Sequence, residues 1–239
     1  MSKIVTTYND LPSIFKVSSL YKVLPKRASR RTIDRHLKKH VQQKMLLKMK
    51  RGWYAKVSAN QFQVAMEVYR GYIGFSSALY LYGLKNEVED RVYVCVDKKE
   101  KARMLGKVKI LPVYLDGMCF GTSFLNEILI STYPKTIFDM LYKPKYANLY
   151  DLHRAINLRS FDKDELKELL YYLKQSNIST IRRVGYVLEG IVPVWFIKEI
   201  MKLDNKVGKS FFLRKNAINF DKKWHIYDDV NVKRWKNVG

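Results

Sequence analysis

Ile33, Leu37 and Val41 recur at a spacing of four behind Ser29, so a helix that starts at that serine gathers its apolar side chains into one stripe. The opposite face carries Arg30, Arg31, Asp34, Arg35, Lys38, Lys39 and Gln42. Such a helix must bury one side and leave a cationic side in water. Its neighbours in the chain complete a unit around it. Residues 10–15 predict a short helix at most. Ser18 or Ser19 then caps a second helix carrying Leu20, Val23 and Leu24, which Pro25 ends, and residues 26–29 make a basic turn. Beyond the basic helix, residues 45–49 and 53–57 read as two strands around Lys50-Arg51-Gly52, where the glycine supplies the positive φ of a tight hairpin. With Leu20, Val23, Leu47, Trp53 and Tyr54, the helical stripe can close a small core.

Helix, helix, basic helix and a hairpin with a basic tip is the winged helix-turn-helix order. The charge distribution points to the same partner. Of the formal +23, residues 1–58 carry +13 from 15 Lys or Arg and 2 Asp, while residues 59–239 carry +10 over a stretch three times longer. A charge concentrated in this way fits a polyanion, here double-stranded DNA. A recognition helix enters the major groove by its N-terminal end, so Arg30, Arg31, Asp34 and Arg35 are the side chains that would meet base edges. Arginine can hold guanine O6 and N7 with two bonds, and Asp34 can accept from cytosine N4 or orient a neighbouring arginine. Ser29 and Thr32 at the helix start, with Lys38 further along, suit phosphate. Lys48, Lys50 and Arg51 on the hairpin would follow the backbone or reach the minor groove.

From Ala59 the chain predicts a larger mixed α/β domain, giving an α+β protein of two domains, 1–58 and 59–239. Residues 60–70 form a helix that Gly71 breaks, and Ser76 or Ser77 starts a short helix that runs to Gly83. Residues 91–96, 108–115 and 128–130 are short and β-branched, hence strands. Pro134 opens a helix with Ile137, Phe138, Met140 and Leu141, and residues 163–175, 179–189 and 194–203 continue the helical period. A late hairpin is expected from 210–213 and 224–227. No apolar run approaches the ~18 residues of a membrane span, and the first ten residues hold no signal-peptide core, so a cytoplasmic chain is expected. Cys95 and Cys119 are too few for a disulfide framework and read as two buried thiols.

Three other chemistries were weighed on their residues. Asp90, Asp97 and Lys99 fit the loose spacing of a metal-dependent nuclease, although Asp97 falls where its strand leaves the sheet. Val207-Gly208-Lys209-Ser210 resembles the end of a phosphate-binding loop, but Leu203 stands where that motif needs glycine. His36 and His40 have the spacing of a two-imidazole metal site without further ligands nearby, and read better as residues bordering the core. No metal, cofactor or catalytic activity is expected.

Several blocks together resemble the AbiEi antitoxin family. They are the basic N-terminal unit ending in Arg51-Gly52-Trp53-Tyr54, then Ser77-Ala78-Leu79 with Tyr82-Gly83-Leu84. Tyr133-Pro134-Lys135-Thr136-Ile137-Phe138-Asp139 follows, with Lys143-Pro144-Lys145-Tyr146-Ala147, then Arg182-Arg183-Val184-Gly185-Tyr186 and a terminal strand around Trp224. They span most of the chain in family order. After Ala147 the chain has Asn148-Leu149 where paired glycines are common. The resemblance implies the antitoxin of a type IV toxin–antitoxin system. Such a protein represses its own operon through the N-terminal domain and counteracts a nucleotidyltransferase toxin through the C-terminal one. Lys135, Lys143, Lys145, Arg182 and Arg183 are then the toxin-facing candidates, with Glu165 or Glu168 as alternative partners of the two arginines. The rival readings are a stand-alone regulator whose C-terminal domain binds a ligand or a protein, and the nuclease.

Overall fold

The computed structural model describes residues 8–23, 29–87, 90–204, 209–213 and 217–229 of the chain; the basic turn apart from Ser29, together with Pro25, Val207 and Gly208, lies outside them. The chain is a mixed α+β protein. Close packing groups it into two units. The first takes in Met1–Ile73, Glu89–Cys119 and Phe124–Leu129, and the second Gly74–Val88, Phe120–Ser123 and Ile130–Gly239.

The first unit opens with a 3-10 turn at Tyr8–Asp10, strand β1 (Ile14–Lys16) and helix α1 (Val17–Val23). A strand therefore replaces the short helix expected over 10–15. Ile14 and Lys16 pair antiparallel with Ala55 and Trp53, and a single turn of helix has too few hydrogen bonds to compete with that pairing. Helix α1 starts one residue before Ser18, so both serines lie in its first turn. Helix α2 (Arg30–Gln42) leads to the hairpin of β2 (Leu46–Lys50) and β3 (Trp53–Lys56), which completes a sheet of order β1-β3-β2. Gly52 at the tip has φ +77°, as the hairpin requires, and its carbonyl accepts from Val17 N at 2.7 Å. Leu11, Phe15, Leu20, Ile33, Leu37 and Leu46 form the core here, with Val17, Tyr21, Val41 and Tyr54 packed against it. Leu46 rather than Leu47 fills the strand position, and a bulge between Lys48 and Lys50 accompanies the burial of Met49.

Asn60 caps helix α3 (Gln61–Tyr69) by accepting from Phe62 N at 2.9 Å, and Arg70 ends it in the left-handed region. Gly71 then passes so close to the next strand that a Cβ would lie 2.1 Å from the Cys95 carbonyl oxygen. Strand β4 (Tyr72–Ile73) pairs antiparallel with β5 (Arg91–Val96), which runs parallel to β7 (Val108–Tyr114); β6 (Arg103–Leu105) lies antiparallel on the far side of β7. With β8 (Thr122–Leu125) and β9 (Ile128–Ser131) the sheet order is β6-β7-β5-β4-β9-β8. Strand β5 is buried without a break from Val92 to Val96, as a central strand with a parallel neighbour should be. The strands β4, β6 and β8 have two to four residues each, too short for a period to show.

The second unit holds α4 (Phe75–Leu81), α5 (Tyr133–Tyr142), α6 (Leu149–Leu158), α7 (Lys163–Lys174), α8 (Ile178–Leu188) and α9 (Val194–Leu203). Pro134 lies in the first turn of α5 as expected. Helix α6 was not expected. It begins where the chain departs from paired glycines, with Asn148 accepting from Tyr150 N at 3.0 Å. A small sheet closes the unit from β10 (Phe211–Phe212), β11 (Asn219–Asp221) and β12 (Ile226–Asp228). The expected late hairpin is corrected by it. Strand β10 runs parallel to β12, and the antiparallel partner is β11, drawn from the segment read as connection. Helix α8 meets this sheet through Gly185, where a Cβ would lie 2.2 Å from the fully buried Trp224 ring. Among the described residues no helix is long and apolar enough to cross a membrane.

Gly185→Ala should therefore lower stability by about 1–3 kcal/mol, the usual cost of overpacking a dense site. Urea unfolding followed by tryptophan emission measures it. An unchanged midpoint would mean that Trp224 is not held against α8.

Candidate functional site

Ser29 has extended backbone at the start of α2, and its side chain accepts from Thr32 N at 3.2 Å and lies 2.9 Å from the Thr32 hydroxyl. That cap makes the helix start at the residue from which the cationic face is counted. Ile33 and Leu37 are buried, while Arg30, Arg31, Asp34, Arg35, Lys38 and Lys39 are exposed. Arg31, Thr32, Asp34, Arg35 and Lys38 line a concavity of about 590 Å³. Five of the ten residues expected to meet DNA thus share one hollow on one helix face.

Tyr21 of α1 organises the near edge, and nothing local in the sequence marks it out. Its hydroxyl donates to Asp34 Oδ1 at 2.5 Å, and its ring lies 5.4 Å from the Arg30 guanidinium. The bond to Asp34, followed by burial, holds the phenol above its ordinary range. Asp34 is therefore bound to a tyrosine of the preceding helix. The hairpin residues divide. Lys48 and Arg51 are exposed, but Lys50 bonds Glu100 at 3.4 Å and lies 5.5 Å from the Tyr69 ring centre, which turns it toward its own unit.

The five toxin-facing candidates divide too, and three need correction. Lys135 and Asp139 have no exposed side-chain surface and form an ion pair one turn apart on α5. The ammonium lies 5.4, 5.1 and 5.8 Å from the ring centres of Phe120, Phe138 and Tyr172. A buried cation persists only when paired, so Lys135 belongs to the interior. Arg182 is 2% exposed and grips both oxygens of Asp204, with Nε at 2.8 Å and Nη2 at 3.0 Å; it also donates to the Lys209 carbonyl. Arg183 donates to the carbonyls of Phe212 and Leu141 at 2.9 and 3.3 Å. Burial brings its pKa down to about 10, which leaves it charged at neutral pH. Neither alternative carboxylate is the observed partner. Glu165 bonds Arg159 at 2.6 Å, and Glu168 accepts from the Thr132 and Tyr172 hydroxyls. Lys143, half-buried against the Tyr142 ring, and Lys145, exposed over the Tyr146 ring, remain at the surface.

The nuclease constellation does not assemble. Asp90 precedes β5 and Asp97 follows it, so a strand rise of ~3.3 Å per residue puts the two carboxylates at opposite ends, roughly 20 Å apart. One cation cannot bind both. His36 and His40 border the first core, with His40 6.0 Å from the Tyr8 ring. Among the described residues no three His, Cys, Asp or Glu converge as metal ligands. Cys95 is buried as expected, whereas Cys119 is only partly so.

No family model matches the chain, and no curated protein does. Among solved structures, the chain is similar in fold to the RV2827C protein from Mycobacterium tuberculosis, with a TM-score of 0.67 and 10% identity, over 95% of this chain and 90% of that one. At that identity the likeness is one of fold.

The buried pair yields a measurable asymmetry. Lys135→Met should cost about 3–5 kcal/mol, because it strands Asp139 in the interior, while Lys135→Met with Asp139→Leu should recover most of the loss. Chemical denaturation of the two variants decides. A single variant as stable as the original would mean that the carboxylate is solvated.

Proposed function

We propose that the protein is a DNA-binding regulator of its own operon and the antitoxin of a cytoplasmic type IV pair, counteracting a nucleotidyltransferase as AbiEi antitoxins do. In this reading residues 1–58 are a winged helix-turn-helix. Helices α1 and α2 are its helix pair, β2 and β3 its wing, and residues 59–239 carry antitoxicity. The observation that carries the reading is the hollow lined by Arg31, Thr32, Asp34, Arg35 and Lys38 on a helix whose other face is buried. A groove of donors on an exposed helix start suits the major groove, and the Ser29 cap leaves polar groups there for phosphate. The Tyr21–Asp34 bond gives Asp34 the orienting role: it holds the acid at the edge of the hollow beside Arg30. Lys48 and Arg51 follow the backbone, whereas Lys50 contributes only through the general field.

Arg31→Ala and Arg35→Ala should each cost about 1–3 kcal/mol on the operator and much less on random duplex. If about 5 to 8 phosphates are neutralised, log affinity should fall against log salt with a slope near −4 to −7. Fluorescence anisotropy measures both. Equal losses on the two duplexes would demote the arginines to phosphate contacts, and a slope near zero would remove DNA as the partner.

Antitoxicity is tested by growth on co-expression with an adjacent nucleotidyltransferase gene. Lys143→Glu with Lys145→Glu should weaken rescue and leave operator binding intact. Full rescue by that variant would shift the protective surface elsewhere.

A further inference from the structure

The small sheet of the second unit has two unlike faces. Ile226, Asp221, Asp228 and Trp224 are buried on one side. Asp221 there accepts from Trp224 N at 2.8 Å, and Asp228 accepts from the Tyr186 hydroxyl at 2.7 Å. On the other side Phe212 and Phe220 both face Tyr227 across the ladder, one from each neighbouring strand, so three aromatic rings form a single rung. The ring centres of Phe212 and Tyr227 are 5.0 Å apart with planes 21° from parallel; those of Phe220 and Tyr227 are 4.8 Å apart at 38°. Phe212 is 47% and Phe220 42% exposed. Cross-strand stacking alone would stabilise a rung buried under a neighbour, but here the ring faces meet water.

The charge around the rung is basic. Residues 209–239 carry eight Lys or Arg against three Asp, and two of those aspartates are the buried pair bonded inward. Exposed Lys209 precedes β10, and exposed Lys222 and Lys223 lie in the turn between β11 and β12, where Lys223 is paired with Glu189. From these observations we infer that the β10-β12-β11 sheet is a stacking platform for single-stranded nucleic acid. Flat rings offer π-faces to bases, and the flanking lysines meet the phosphates. A duplex cannot use the platform, since its base faces are already stacked. An apolar protein partner would gain nothing from the surrounding lysines. The site is separate from α2. It therefore stands whether or not the operator reading holds.

The test uses the full chain with fluorescein-labelled 12-nucleotide oligouridylate and oligothymidylate, read by anisotropy at low salt. Both should bind, and their ratio tells whether the 2′-hydroxyl of RNA is recognised. Phe212→Ala and Phe220→Ala should each weaken binding roughly 5- to 150-fold, the fold-change equivalent of losing one base–aromatic stack. Phe212→Trp with Phe220→Trp should retain it. Arg31→Ala with Arg35→Ala should leave most single-strand binding in place, and the Phe variants should leave duplex binding unchanged. Alanine variants that keep their circular dichroism and bind like the original would overturn the proposal, as would a parallel loss on duplex. A dimer in light scattering that the alanine variants split, with no oligonucleotide bound, would assign the face to a second copy and overturn it too.

Discussion

A lysine ammonium with no exposed surface lies beside the only α5 side chain that can neutralise it one turn on, and the second unit is arranged around that cost. Removing an ion from water costs several kcal/mol, so its surroundings must supply charge, π-faces and hydrogen bonds together. Asp139 supplies the charge, and Phe120, Phe138 and Tyr172 supply the faces. Tyr172 then donates to Glu168, which also accepts from the Thr132 hydroxyl at 2.6 Å; that same oxygen caps α5 by accepting from Lys135 N at 3.3 Å. Cap, ion pair and the neighbouring helix α7 are thus one connected network. Gly121 completes it by omission, because a Cβ there would lie 2.2 Å from the Tyr172 hydroxyl.

That network explains why Lys135 reads as a surface residue in the sequence. A lysine and an aspartate four apart are the signature of an exposed helix pair, and the spacing is the same when the helix is enclosed. The contrary signal was present. From Tyr133 to Leu141 the helix is buried all round, and Ile137, Phe138, Met140 and Leu141 cover more than one stripe of it. Arg182 was misread for the same reason, since its partner Asp204 lies twenty-two residues on and no local pattern announces it. Helices whose caps and stripes are local were legible: Ser29, Asn60 and Pro134 mark their starts as expected. The two- and three-residue strands were not, because their formation depends on partners distant in the chain.

The α2 surface was the more legible part of the molecule. Which residues face outward follows from the period of the stripe, and the hollow they line needs nothing beyond that helix to be anticipated. What escaped the sequence is the tertiary wiring of its edge. Tyr21 reaches Asp34 from another helix, and Lys50 is bound by Glu100, fifty residues further on. Both contacts turn residues that look equivalent in sequence into unequal ones. Of three hairpin cations, two stay exposed and one is bound to its own unit.

The charge pattern then acquires a physical reason. In the second unit buried acids either neutralise buried cations, as Asp139 and Asp204 do, or accept from neutral donors, as Asp221 and Asp228 do. Acids spent in this way are withdrawn from the surface, which leaves the cations at the surface less compensated than the totals suggest. The first 58 residues have almost no acids to spend, so their +13 stands in solvent and repels itself. A merely solvating surface would gain nothing from such concentration and would spread its charge, as residues 59–239 do. A polyanion changes the balance: phosphates lying within a Debye length relieve the repulsion, and the counterions they release favour the complex. Whatever binds the folded form alone also stabilises it, so the excess of cations that weakens the free domain is the same feature that ties its stability to an anionic partner.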